Sequence, residues 1–362
     1  MKTKRSYHKI IKSGGQGCVF EPAIPCSKRT KRKKKRYHKK TVSKVSFNKH
    51  SAEREIAIDD LVRKIPNHED WAILWNQKCE TPPYKQLTSN SDIKECLDKK
   101  NIHRTETSRF PMLVGPFGGQ TIFEYTKSRL KKSTVQSQTN FDRFLGSLIS
   151  TLEPLFEGLV SLRRHKLCHG DLSIRNILVK DNQTHMIDFG LSFRFSNKSY
   201  LKERLRFIYS LDRAYDPYPY EFTLYPATKK QLKDDLRDLQ NKSYREGHED
   251  YIRFHETILD QPNANQQLKK YIQDRINGSK KPSLETLVNT LDTYSLGILV
   301  PTLLHDISLR AGISFKTLQQ RCQKSKHKEF FQLCRDMTEF LASDRISPKD
   351  ALKRFTSISS IQ

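Results

Sequence analysis

Long hydrophobic runs are missing from this sequence. The longest nearly apolar stretch, Tyr294 to Leu304, is broken by Ser295, Gly297, Pro301 and Thr302 and is too short to cross a bilayer, so no membrane span is expected. The first residues lack the apolar core of a secretory leader, and none is expected. Acidic residues are few: 40 Asp and Glu stand against 66 Lys and Arg, a formal net charge of +26. Apolar residues make up only 35%, yet 19 Phe and 14 Tyr argue against disorder throughout. The chain has 7 cysteines, with wide spacings and no C-x-x-C pair. That pattern favours free thiols in a reducing compartment over a disulfide frame or a zinc site. No internal repeat occurs. With 362 residues, one large or two modest domains can bury a core.

What is present first is cation. Lys28, Arg29, Lys31 to Arg36, Lys39 and Lys40 form a run with no acid among them, and the rest of the chain stays basic without it. Such a run reads as a solvated loop, or as a site for nuclear import, nucleic acid or another polyanion.

Along the chain, residues 8–20 read as strand, glycine turn, strand, and Thr41 to Phe47 as a short strand. Ser51 to Ile65 carries apolar residues at helical spacing and is stopped by Pro66. Residues 80–110, polar with Pro82 and Pro83, read as a surface excursion. Phe110 to Tyr125 is strand-like, and from Phe141 to Leu159 a long helical apolar face begins a mainly helical second half. Strands first and helices later suggest two lobes.

Three short segments carry chemistry. Gly14-Gly15-Gln16-Gly17-Cys18-Val19 lies between two strands, where glycines let backbone N–H groups approach an anion; alone, it reads equally as an ordinary hairpin. In His169-Gly170-Asp171-Leu172-Ser173-Ile174-Arg175-Asn176, a carboxylate and an amide share one loop before an apolar strand. The carboxylate can take a hydroxyl proton and the amide can ligate a hard cation, against the alternative of an Asx-rich turn. In His185-Met186-Ile187-Asp188-Phe189-Gly190 a strand delivers Asp188 to a sharp turn, spaced for a hairpin that returns it beside Asn176. Two carboxylates and an amide suit Mg²⁺ and a triphosphate.

In this order the segments resemble the protein-kinase superfamily. The resemblance implies an α+β, two-lobed kinase-like fold: a small β-rich N-lobe over residues 1–118 with a basic insert at 27–40, and a larger, mainly helical C-lobe over 119–362 with a helical insert at about 222–285. It implies ATP and Mg²⁺ as cofactors, with Asp171 as the catalytic base and Asn176 and Asp188 on the metal. The ATP-binding set would be Ile11, Gly14, Gly15, Gln16, Gly17, Val19, Lys44 and Glu55. Lys44, between Ser43 and Val45, matches the strand lysine on the α/β-phosphates. Glu55 is its expected partner from its phase against Ile58 and Val62, with Glu53 the competitor. Pro219-Tyr220-Glu221 resembles the end of an activation segment, and Asp292 the residue that holds the catalytic-loop backbone. Arg345 resembles the arginine that pairs with Glu221. The phrase Ser13 to Phe20 followed by Pro22-Ala23-Ile24-Pro25-Cys26 is similar to the serine/threonine kinases of large nucleocytoplasmic DNA viruses. That branch implies transfer to Ser/Thr of protein substrates, acidic ones suiting the charge, inside the host cytoplasm or nucleus or packaged in a virion.

The pattern is broken in places. Lys12 stands where the first loop glycine would fall, and Gly170 where many kinases carry an Arg that binds a phosphorylated activation segment. Ser173 replaces the usual Lys, while Arg175 resembles the tyrosine-kinase loop, leaving Tyr or dual specificity open. A pseudokinase scaffold and a small-molecule phosphotransferase, some of which share His-Gly-Asp loops, are the alternatives.

Overall fold

The computed structural model describes residues 8–14, 17–27, 41–210, 217–241 and 246–360; the basic run 28–40 and the loop residues Gly15 and Gln16 lie outside them. The chain divides into two units, one running to Gly119 and including Ile187–Leu191, the other Gln120–Met186 with Ser192–Gln362.

The first unit is built on a five-stranded antiparallel sheet of β1 (Lys9–Ser13), β2 (Gly17–Glu21), β3 (Thr41–Ser46), β4 (Gln77–Glu80) and β5 (Pro111–Pro116), in the order β1-β2-β3-β5-β4. β3 is central and buries every residue from Val42 to Ser46, including the polar Ser43, Lys44 and Ser46. Helix α1 (Lys49–Val62) begins two residues earlier than its apolar periodicity suggests. The Asn48 side chain accepts from the backbone N–H groups of His50 and Ser51 and caps it. Its buried face is Ala52, Glu55, Ile58, Asp59 and Val62, a helical spacing that carries two carboxylates inward with the apolar residues.

The stretch 80–110 is not a surface excursion. Helix α2 (Ser91–Asp98) places Ile93, Cys96 and Leu97 on one face, and these pack with Leu87 against Phe20, Val45, Phe110 and Met112 of the sheet. Its polar composition belongs to the outer face, and the inner one is core. The fold also corrects the free-thiol expectation. Cys18 of β2 is joined to Cys96 of α2, and Cys26 to Cys79 of β4, while Cys168, Cys322 and Cys334 are free and buried. The paired residues are 78 and 53 positions apart but lie 6.6 and 5.8 Å apart at Cα, a proximity that linear spacing cannot display. Cysteine usage therefore no longer supports a reducing compartment.

In the second unit β6 (Gln120–Thr121), β8 (Ile177–Lys180) and β9 (Gln183–Met186) form a small antiparallel sheet, and β7 (Leu167–Cys168) pairs with β10 (Phe193–Arg194). The rest is helical. The apolar face from Phe141 onward belongs to two helices, Gln138–Ile149 and Glu153–Arg164. Pro154, which can neither donate a backbone bond nor tolerate a preceding helical turn, marks the new start. The segments Gln138–Arg164 and Leu284–Ala311 are long and apolar enough to span a membrane by composition, but 67% and 89% of those windows are buried inside the protein, as core helices require. Between Glu221 and Asp292 the helices Lys229–Gln240, Glu246–Arg253 and Ala264–Ile276 gather Leu232, Leu239, Tyr251, Leu268 and Ile272 around Phe340 in one cluster.

Candidate active site

The first unit assembles a charged cluster around Lys44. The register of β3 sets Lys44 opposite Val19 on one side and Leu113 on the other, and only 7% of the lysine is exposed. Its Nζ donates to both carboxylate oxygens of Glu55, at 3.0 and 2.7 Å, and to Asp188 Oδ1 at 3.1 Å. Burial alone would lower the lysine pKa. The two carboxylates outweigh it and hold the ammonium above its ordinary value, so Lys44 stays charged. Burial pushes Glu55 up, against the pull of Lys44. Glu53, the competitor from sequence, is instead a surface residue paired with Lys78 at 3.1 Å.

Sequence reasoning missed what stands behind this pair. The Trp75 indole N–H donates to Glu55 Oε1 at 2.7 Å, and the Trp75 backbone N–H donates to Asp59 at 2.8 Å. Burial lifts the Asp59 carboxyl to about 8. Arg54 of α1 donates to the Gly190 carbonyl at 2.6 Å and fixes the turn after Asp188. Asp188 itself has φ +64°, a left-handed conformation that aspartate tolerates better than most residues and that the surrounding bonds impose.

The glycine turn joins β1 and β2. Gly14 N–H donates to the Gly17 carbonyl at 2.9 Å. Its Cβ position is open, with nothing nearer than 3.8 Å. Gly17 is different: a Cβ there would collide with the Val45 carbonyl, so packing against β3 demands glycine at this position. The β1–β2 register shifts between Ile10 and Lys12, and Ile11 in that bulge is 47% exposed.

The second unit assembles the loop of Asp171. Asn176, buried, donates through Nδ2 to the Asp171 backbone carbonyl and to its Oδ2, both at 2.9 Å. With the donors spent there, the end of the amide turned away from Asp171 is its oxygen. Asp292 holds the loop from below, accepting from His169 N–H at 2.7 Å and Gly170 N–H at 2.9 Å. Gly170 has φ +68°, which glycine adopts freely. Its carbonyl accepts from the Tyr218 hydroxyl at 2.7 Å and from Arg204 at 3.2 Å, and Arg204 also donates to that hydroxyl. Neither residue was singled out from sequence, although Tyr218 directly precedes the Pro219-Tyr220-Glu221 phrase. Glu221 meets Arg345 at 3.2 Å with both side chains buried, and also accepts from Ala342 N–H at 2.7 Å. The β8–β9 register pairs Ile177 with Met186, so Asn176 precedes and Ile187 follows one rung of that hairpin.

Residues 78–209 match the family model for protein tyrosine and serine/threonine kinases. The match spans a little over a third of the chain and contains Asp171, Asn176 and Asp188, while Lys44 and Glu55 lie before it. No curated protein matches the chain. With the N-terminal sheet and the helical remainder, the chain has a kinase-like α+β fold of a small β-rich lobe and a larger helical one. The match supports protein phosphotransfer as the general activity, with proteins as substrates.

Proposed function

We propose that the chain is an ATP- and Mg²⁺-dependent kinase that phosphorylates Ser/Thr hydroxyls of proteins. The observation that carries this reading is the buried Lys44 shared by Glu55 and Asp188. A lysine fixed between two carboxylates keeps its charge and position, which is what gripping a polyphosphate requires. The donors for a metal are the Asp188 carboxylate and the Asn176 amide oxygen, hard oxygens that suit Mg²⁺. Among the described residues no group of three or more His, Cys, Asp or Glu stands ready for a metal, and a Mg²⁺ that arrives with phosphates needs only one or two protein ligands. Bound there, the metal would neutralise charge developing on the phosphate oxygens.

In this reading the Gly14–Val19 turn and Lys44 bind the phosphates, with Ile11 and Val19 offering apolar surface to the base. Asn176 orients the Asp171 carboxylate, and Asp171 accepts the proton of the acceptor hydroxyl as it attacks in line. The loop backbone that carries Asp171 is pinned by Asp292, so little reorganisation is left for the reaction itself. The Ser/Thr choice rests on the resemblance of Ser13–Cys26 to the kinases of large DNA viruses.

The test is phosphoryl transfer from labelled ATP to a peptide array by the full chain and by Asp171→Asn, followed by phosphoamino-acid analysis. Transfer should fall by about 10²–10⁴-fold in the variant, with ATP still raising its melting temperature. Near-full turnover in Asp171→Asn would remove Asp171 as the base, and label on tyrosine alone would overturn the Ser/Thr assignment.

A further inference from the structure

The second unit contains a cavity of about 360 Å³ that the roles above do not use. The loop of Asp171 contributes Ser173 and Arg175 to its wall, the helix Ile122–Arg129 contributes Phe123, and the helix Leu299–Ala311 contributes Thr302, Asp306 and Arg310. The last three recur at every fourth position and so lie along one helix face. The Arg310 guanidinium carbon sits 4.8 Å from the centroid of the Phe123 ring, which stacks it in place. The hydroxyl oxygens of two lining residues, Ser173 Oγ and Thr302 Oγ1, are buried with no hydrogen-bond partner. Polar atoms are rarely left in that state without something to meet them.

Among the described residues, the charges facing the cavity are two guanidinium groups and one carboxylate, Asp306, which lies 3.6 Å from His305. The excess is positive. Its place in the chain says what could enter. Ser173 and Arg175 follow Asp171 by two and four residues, and a chain spans at most about 3.5 Å per residue. The Arg175 backbone is therefore within about 14 Å of that of Asp171, the reach of about four residues of an extended peptide.

Resting on the reading of Asp171 as the base that serves a protein hydroxyl, we infer that this cavity is a specificity subsite for an acidic side chain of the substrate, within about four residues of the phosphorylated one. Arg175 and Arg310 pair with the carboxylate. Asp306 tempers the field, so the site fits a single negative charge better than a doubly charged phosphate. The basic chain as a whole attracts acidic polypeptides towards it.

The test uses the full chain and short single-serine peptides in which each flanking position in turn is Ala, Glu, Arg or phosphoserine. Transfer should favour Glu over Ala by about tenfold at one position and disfavour Arg there, the size expected of a charge-assisted pair at a partly exposed site. Arg310→Glu should abolish or invert that preference, Arg310→Lys should keep part of it, and Asp306→Asn should strengthen it. Equal rates for Glu and Ala at every position, or an unchanged preference in Arg310→Glu, would overturn the inference. A preference for phosphoserine over Glu would replace the carboxylate site with a phosphate site. Fluorescence anisotropy of the labelled Glu and Ala peptides reads the subsite without chemistry. If nothing is transferred to any peptide, the kinase reading fails, and equal affinities of wild type for the two peptides would then overturn the subsite as well.

Discussion

Replacing Glu55 by Gln tests the centre of the proposed nucleotide site. Lys44 is 7% exposed and Glu55 1%, and removing one charge from a buried pair costs about 3–5 kcal/mol because the other is left without compensation. Two features of this site lower that figure. Lys44 retains Asp188 at 3.1 Å, and the amide oxygen of the new side chain can still accept from Lys44 and from the Trp75 indole. A loss of about 2–3 kcal/mol follows. The assay is built into the chain: its 2 tryptophans are Trp71 and Trp75, both in the first unit, so urea unfolding followed by tryptophan fluorescence reports that unit. Activity should suffer more than stability. With Glu55 neutral, Lys44 is drawn onto Asp188 alone, and a displacement of about 1 Å at a phosphate-binding group can cost about 10²-fold in transfer. Glu53→Gln, on the exposed pair with Lys78, should leave both readouts essentially unchanged. The reasoning is refuted if Glu55→Gln costs less than about 0.5 kcal/mol, or if Glu55→Gln and Lys44→Met add within that margin in a double-mutant cycle.

Asp59, lifted to about 8 by burial, binds a proton in the folded state that it releases in the unfolded chain above about pH 4. Its contribution is therefore full below pH 4 and is lost as pH rises towards 8, so the first unit should unfold at lower urea at pH 8 than at pH 5, and Asp59→Asn should flatten that slope. Gly17→Ala should destabilise the same unit by about 1–3 kcal/mol, because its Cβ meets the Val45 carbonyl, whereas Gly14→Ala, into open space, should cost much less in the same unfolding curve. Cys96→Ser, which opens a loop closed over 78 residues, should lower the stability of that unit by about 2–4 kcal/mol under non-reducing conditions and by nothing further once dithiothreitol is present; equal curves for wild type with and without reductant would refute the bridge.

Much of the site was legible in the sequence because its parts are local. Asp171 and Asn176 sit in one loop, and Glu55 and Lys44 are separated by one strand end and about two helical turns. The phase of α1 alone chooses Glu55 over Glu53, since only Glu55 shares a face with Ile58 and Val62. What could not be read is what the chain brings from afar. The polar stretch 80–110 hides its apolar positions Ile93, Cys96 and Leu97 among charged neighbours, so its composition argues for the surface while its spacing argues for the core. The cysteine pairs, Trp75 behind Glu55, and Tyr218 above Gly170 are all contacts across the fold with no periodic signal. The glycine phrase also hides a packing requirement: Gly17 is demanded by β3, whereas Gly14 has room above it.

The substitution of Gly170 for an arginine ties these long-range contacts to function. An arginine at that position can be recruited by a phosphate on the activation segment, which makes the order of the loop conditional on modification. Here the side chain is gone, and the left-handed backbone turns the Gly170 carbonyl onto the Tyr218 hydroxyl and Arg204 while its N–H is held by Asp292. The residue before Asp171 is thus fixed on both its donor and its acceptor by protein groups that are always present. Tyr218 and Arg204 flank the segment 205–217 in sequence, so both ends of that segment are tied directly to the loop of Asp171. On the proposed reading of Asp171 as the base, a chain arranged in this way holds that residue ready without the modification, and Tyr218→Phe, which removes the hydroxyl bond to the Gly170 carbonyl, should lower transfer.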